Sequence, residues 1–150
     1  FEKIIEVSNL HLDRMTHGRY RFYRNDDSAS GNKKQGLDLN IMDYDTGKMR
    51  DVRSLSGGES FKAALSLALG CSDIIQSQSG KIEIKTLFID EGFGSLDAES
   101  LDQAMKTLME LQQDDKVIGI ISHVQELKER LDHQLIIKKV AQGSIIEYAE

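Results

Sequence analysis

Thr86-Leu87-Phe88-Ile89-Asp90-Glu91 and, thirty residues on, Lys116-Val117-Ile118-Gly119-Ile120-Ile121 are the two runs whose reading decides the fold. Both are short, apolar and rich in residues that favour strands, the pattern of strands buried in a parallel sheet. Between them residues 98–112 are amphipathic, with Leu101, Met105 and Leu108 on one helical face. Strand, helix, strand is a βαβ unit, so the two strands are expected to be parallel with a right-handed crossover. The first run ends in two consecutive carboxylates, Asp90 and Glu91, and the second leads into Ser122-His123. The carboxyl edge of a parallel sheet is where α/β proteins bind ligands. The spacing therefore delivers Asp90, Glu91 and His123 to one edge.

Adjacent carboxylates repel unless a cation or solvent relieves them. One of the pair could hold Mg²⁺ through water while the other orients or deprotonates an attacking water. A lone histidine after a strand is more often structural, and the convergence with two carboxylates is what makes His123 a candidate. Asp97 reads most simply as the N-cap of the next helix. Gly92-Phe93-Gly94 imitates the start of a dinucleotide fingerprint, but Asp97 occupies the place of the third glycine. Gly31-Asn32-Lys33-Lys34-Gln35-Gly36 has the glycine spacing of a P-loop, and Leu37-Asp38 replaces the Lys-Ser/Thr that such a loop requires.

Upstream, Leu55-Ser56-Gly57-Gly58-Glu59 precedes a strongly apolar stretch, residues 60–76, that reads as a helix buried on nearly all sides. Ser56 and Glu59 make a capping box, a structural reading that suffices alone. The same geometry, free N–H groups beside glycines, also suits a phosphate. His11, His17 and His133 lack partners at metal-ligand spacing. Cys71 reads as a packed core thiol.

The remaining chain organises around these segments. Residues 1–17 form an apolar-periodic helix through Phe1, Ile4, Ile5, Leu12 and Met15, without an N-cap, so the helix is expected to continue upstream. Residues 19–24 read as a short strand and 25–35 as a loop. A hairpin follows at 37–42 and 48–52 about Asp45-Thr46-Gly47, and residues 77–81 are a polar break. A short helix at 124–131 and a hairpin at 134–139 and 144–148 close the chain. The expected organisation is one α/β domain with a β-rich flank.

Composition narrows the class. The 150 residues include no proline, no tryptophan, 12 glycines and one cysteine. An average chain of this length holds roughly seven or eight prolines, so Pro-rich and collagen-like classes are excluded. A single cysteine cannot staple a secreted scaffold, which points to a reducing, cytoplasmic setting. The longest apolar stretches, 63–71 and 117–121, fall far short of the ~20 residues of a membrane span. The chain begins at Phe1, which reads as a fragment. The net charge of −6 argues against a uniformly basic nucleic-acid binder. Residues 11–34 nevertheless hold Arg14, Arg19, Arg21, Arg24, Lys33 and Lys34 against Asp13, Asp26 and Asp27, a patch suited to phosphates or simply a solvated face.

Taken in order, the segments resemble the C-terminal half of an ABC-type ATPase head. Residues 55–59 resemble its signature motif, 87–91 the Walker B strand, Ser95-Leu96-Asp97 the D-loop and His123 the switch histidine. Transport-type members usually carry Gln at position 59 and Pro at position 92, where this chain has Glu59 and Gly92. Asp-Glu-Gly-Phe-Gly-Ser-Leu-Asp at 90–97 and Ser-His-Val at 122–124 resemble the SbcC-type DNA-repair ATPases, relatives of the chromosome-maintenance (SMC) proteins. The resemblance implies ATP and Mg²⁺ bound between two heads. Ser56, Gly57, Gly58 and Glu59 would serve nucleotide held by the other head, and Asp90 would help hold Mg²⁺. Glu91 would orient the attacking water, His123 would sense the γ-phosphate, and Ser95 and Asp97 would link the two sites. It also implies a division into a coiled-coil root helix (1–18) and an α/β lobe (19–150). Its partners would be an N-terminal lobe carrying Walker A and Q-loop, a second head, an SbcD-like nuclease and DNA, with no membrane. Without the N-terminal lobe the chain is expected to be inactive.

Overall fold

A computed structural model describes residues 1–25, 39–80, 84–112 and 117–149. Most of the expected 25–35 loop, with Lys33, Lys34 and the glycine-spaced 31–36 segment, lies outside the described residues.

Helix α1 (Glu2–Thr16) buries Ile5, Leu12 and Met15, and also Ser8 and His11, so its inner face is partly polar. It ends at His17 and Gly18, both left-handed (φ 51° and 78°), where glycine relaxes the strain of the reversal. The chain then enters β1 (Tyr20–Arg24). This strand does not stand apart from the expected hairpin. It pairs antiparallel with β2 (Leu39–Asp43), which pairs in turn with β3 (Lys48–Asp51), giving a three-stranded sheet. Tyr20, Phe22 and Ile41 point inward and pack with Ile5, Leu12 and Ala63 in one core. Burying those alternate side chains against α1 is what recruits β1 to the sheet.

Helix α2 (Gly57–Ser79) is three residues longer at each end than its apolar stretch, because the capping box starts it directly after Ser56 and Gly80 (φ 55°) stops it. Its Ala63 belongs to the core just described. Leu65 and Leu69 belong to a second core with Met15, Phe93, Leu101, Met105, Leu108 and Leu127. The expectation of burial on nearly all sides is corrected: Ala64 and Ala68 are exposed and Cys71 is half-buried. Two cores claim two faces of the helix, and no described element covers the third.

Strands β4 (Thr86–Asp90) and β5 (Val117–Ile121) are parallel, with Asp90 opposite Ile121, and α3 (Ala98–Gln112) connects them as expected. Leu87, Ile89, Ile118 and Ile120 pack on the second core. Here the expectation of strands buried on both faces is corrected. Among the described residues the sheet has two strands and one layer of helix, and nothing covers its outer face, where Phe88 is 71% exposed. Helix α4 is a single turn (Gln125–Lys128), shorter than expected. The closing hairpin, β6 (Gln134–Val140) with β7 (Gly143–Ala149), exposes residues of both faces, Ile137 at 72% among them. No helix among the described residues is long and apolar enough to cross a membrane.

Candidate functional site

The carboxyl edge of the parallel pair forms one cluster. Asp90 closes β4 and is exposed. Glu91 follows with φ 61°, and its N–H still donates to Ile121 O at 2.9 Å. That hydrogen bond ties the residue to the sheet edge, while its left-handed conformation costs about 1–3 kcal/mol for a residue with a β-carbon. His123 Nδ1 stands 3.2 Å and 3.1 Å from the two Glu91 oxygens. Its side chain is 82% exposed, so the pair is open to a ligand. Gly92 has φ 98°, and a β-carbon there would stand 2.7 Å from the Phe61 ring. Proline, fixed near −65°, cannot take this conformation. The transporter-like sequence is incompatible with this turn.

The second cluster lies at the start of α2. Glu59 Oε2 accepts from Ser56 N–H at 2.9 Å, closing the capping box. A β-carbon on Gly57 would lie 2.9 Å from Ser95 Cβ, and one on Gly58 would lie 3.6 Å from Leu96. The glycines thus let residues 95 and 96 press directly on the 56–58 loop. Ser95 Oγ donates to Gly92 O at 2.9 Å, and the Phe61 and Phe93 rings meet at 4.7 Å. Asp97 accepts from the Ser100 N–H at 2.8 Å and from its hydroxyl at 3.1 Å, as an N-cap should. Those two bonds hold its carboxyl below the usual range.

A cleft of about 550 Å³ opens over this second cluster, lined by Ser56, Gly57, Gly58, Glu59, Ser95 and Asp97 and by cationic Arg19 and Lys62. Asp90, Glu91 and His123 do not line it. The structure therefore separates the candidates into two groups, with residues 92–94 running between them. Sequence reasoning missed Tyr20 and Arg50, which reach Glu59 from β1 and β3. No local spacing announces them, since they come together only when the sheet packs beside α2.

Among the described residues no three acidic, histidine or cysteine side chains cluster as a metal cage. Mg²⁺ commonly takes one or two carboxylates and completes its shell with water and substrate phosphates, so an exposed Asp90 at the sheet edge fits a partial donor set. The expected basic patch is partly neutralised. Arg19 bonds Asp43 and lies 3.1 Å from Asp45, and Arg24 lies 3.8 Å from Glu2.

A parallel βαβ core with a glycine-led helix packed on it is a fold shared with the head domains of SMC proteins. A structure from work on ATP-driven dimerization and DNA stimulated activation of SMC ATPases superposes with a TM-score of 0.71 at 15% identity, covering 99% of this chain and 84% of that one. That likeness is one of fold. The family described as SbcC/RAD50-like, Walker B motif matches residues 33–110, and the chain belongs to this family. The SbcC subunit of the nuclease SbcCD from Vibrio cholerae is 52% identical over 145 residues, which is 97% of this chain. Its namesake from Treponema pallidum is 47% identical over 142 residues, or 95% of this chain. The chain spans 14% of the length of each of these relatives.

Proposed function

We propose that the chain is the C-terminal lobe of an ATPase head in an SbcC-like subunit of a nuclease complex that processes DNA breaks and hairpins. The observation that carries this reading is the division of the candidates. Residues 56–59, 95 and 97 share a cleft that Asp90, Glu91 and His123 do not line. A site that hydrolyses one nucleotide needs both groups, and two heads facing each other can supply one group from each. Residues 56–58 would then meet the γ-phosphate of nucleotide held by the partner head, using N–H groups at the start of α2. Asp90 would hold Mg²⁺, which supplies charge neutralisation at the phosphates when bound. Glu91 would orient the attacking water, and His123 beside it would meet the γ-phosphate. Ser95 and Asp97, which line the cleft and follow Glu91 in the chain, would relay engagement. Phosphoryl transfer asks for positioning and electrostatic stabilisation, which this division provides.

The bare outer face of β4 and β5 and the apolar hairpin support an N-terminal lobe as the covering partner, since apolar surface of this extent marks an interaction site. ATP and Mg²⁺ would bind with that lobe present. Residues 1–18 would root a coiled coil and 19–150 form the lobe. The SbcD-like nuclease and DNA are partners of the whole assembly. Ser56→Arg in the two-lobe protein tests the central claim. Steric and charge conflict at the γ-phosphate should abolish ATP-driven head dimerisation in light scattering, and undiminished dimerisation would remove residues 56–58 from the nucleotide contact.

A further inference from the structure

A glutamine at position 59 would close the capping box as well as Glu59 does. The structure shows what the carboxylate adds. Oε2 is committed to the Ser56 N–H at 2.9 Å. Oε1 accepts from the phenol of Tyr20, the first residue of β1 and 39 positions away. Arg50 of β3 bridges the two, with Nη2 3.2 Å from Tyr20 Oη and 3.5 Å from Glu59 Oε2. The same nitrogen lies 3.7 Å from Asp43 Oδ2. Asp43 is 2% exposed and receives two hydrogen bonds from Arg19, each of 3.1 Å. The Arg19 guanidinium in turn lies 4.7 Å over the Tyr20 ring. A chain of charge-assisted contacts thus runs from the exit of α1 to the first turn of α2.

The chemistry of each member fits that link. Burial and the bond to Glu59 push the Tyr20 phenol up to about 12, so it remains a proton donor at neutral pH. Burial opposes ionisation of Glu59, but the Tyr20 and Ser56 bonds and the Arg50 charge outweigh it and keep the carboxyl below its usual range. A glutamine with its single acceptor oxygen on the Ser56 N–H would turn its amide N–H groups toward Tyr20, so the phenol could no longer donate to it, and Arg50 would lose the negative charge it faces. Arg50 is also held at a cost, because its Nε is buried without a hydrogen-bond partner among the described residues.

We propose that Tyr20 and Arg50 are positioning residues that, through Glu59, tie the Ser56-Gly57-Gly58 loop to the junction between α1 and β1. A shift at the junction of α1 and β1 would then reach the start of α2 through Tyr20 and Glu59. The inference rests on the reading of residues 56–58 as contacts for nucleotide on the partner head.

The test uses steady-state ATP hydrolysis by the two-lobe protein. Tyr20→Phe removes one hydroxyl and leaves the capping box and the ring packing in place. It should lower kcat about tenfold, the worth of a hydrogen bond to a charged group, with KM for ATP unchanged. Glu59→Gln should do the same, and the double variant should be no worse than either single one, as for two members of one linkage. A merely structural role would lower the unfolding midpoint without splitting kcat from KM. A Tyr20→Phe kcat within twofold of the parent, or single losses that multiply in the double variant, would overturn the proposal. Ser56→Arg separates the two readings. If it abolishes ATP-driven dimerisation while Tyr20→Phe keeps the parental kcat, the positioning role alone fails. If it leaves dimerisation intact, both fail.

Discussion

Glu91 combines three features: a positive φ, a backbone hydrogen bond to Ile121, and a histidine within 3.2 Å. Strain held in place by surrounding structure marks sites where a side chain must be aimed. On the proposed role, Glu91→Gln keeps the shape and removes the negative charge that orients water. ATP turnover by the two-lobe protein should fall roughly 10²–10⁴-fold while nucleotide binding, followed by fluorescent-nucleotide titration, stays close to the parent. Loss of binding together with turnover would reassign the residue. That Asp90, Glu91 and His123 share one sheet edge was readable because Asp90 ends its strand and the other two follow strand ends. The φ of 98° that excludes proline at Gly92 was not, since backbone conformation depends on how Phe61 and Phe93 pack around the turn.

Helix α2 is the element on which the lobe is assembled. One face meets α1 and the three-stranded sheet, and a second meets α3 and the parallel pair. It meets α1 closely where Gly70 faces Ser8: a β-carbon at Gly70 would stand 2.2 Å from Ser8 Oγ and 2.8 Å from Ser8 Cα. Because backbone atoms are involved, a rotamer change cannot relieve the clash. One turn along, His11 Nε2 lies 2.8 Å from Asp73 Oδ2, so the approach also sets a side-chain hydrogen bond between the helices. Gly70→Ala should force the helices apart and destabilise the protein by about 1–3 kcal/mol, visible as a lower midpoint in urea or thermal unfolding. An unchanged midpoint would mean that α1 can shift freely. Periodicity identified α2 as a helix and overstated its burial, because alanines at 64 and 68 count as apolar without needing cover. It also missed the pairing of β1 with β2, a contact whose intervening residues carry no turn signal that specifies it.

At the scale of the molecule, what stands out is unfinished surface. The outer face of β4 and β5 is apolar and bare, and the β6–β7 hairpin presents isoleucines to solvent on both sides. Two strands make a narrow sheet, and a sheet of this kind is normally covered on both faces. These 150 residues alone should accordingly show no ATPase activity above background in a Mg²⁺-dependent phosphate-release assay, and adding the N-terminal lobe should restore it. Robust turnover by the chain alone would contradict the half-site reading. Charge behaves similarly. The arginines at 19 and 24 that make residues 11–34 look basic are matched by Asp43, Asp45 and Glu2 from elsewhere in the chain. A count along the sequence therefore overestimates the positive field that a phosphate would meet.

The sequence by itself determined the βαβ core, the glycine-led start of α2, and the residues at the strand ends, because these follow from hydrophobic period, capping chemistry and the position of charged residues after apolar runs. All of these are local. The tertiary structure alone decided that the candidates fall into two groups, that Gly57 lies against Ser95, and that Glu59 answers to Tyr20 and Arg50. Those are contacts between residues far apart in the chain. They exist only when α2 is packed between two cores at a fixed distance, and no spacing along the chain encodes that distance.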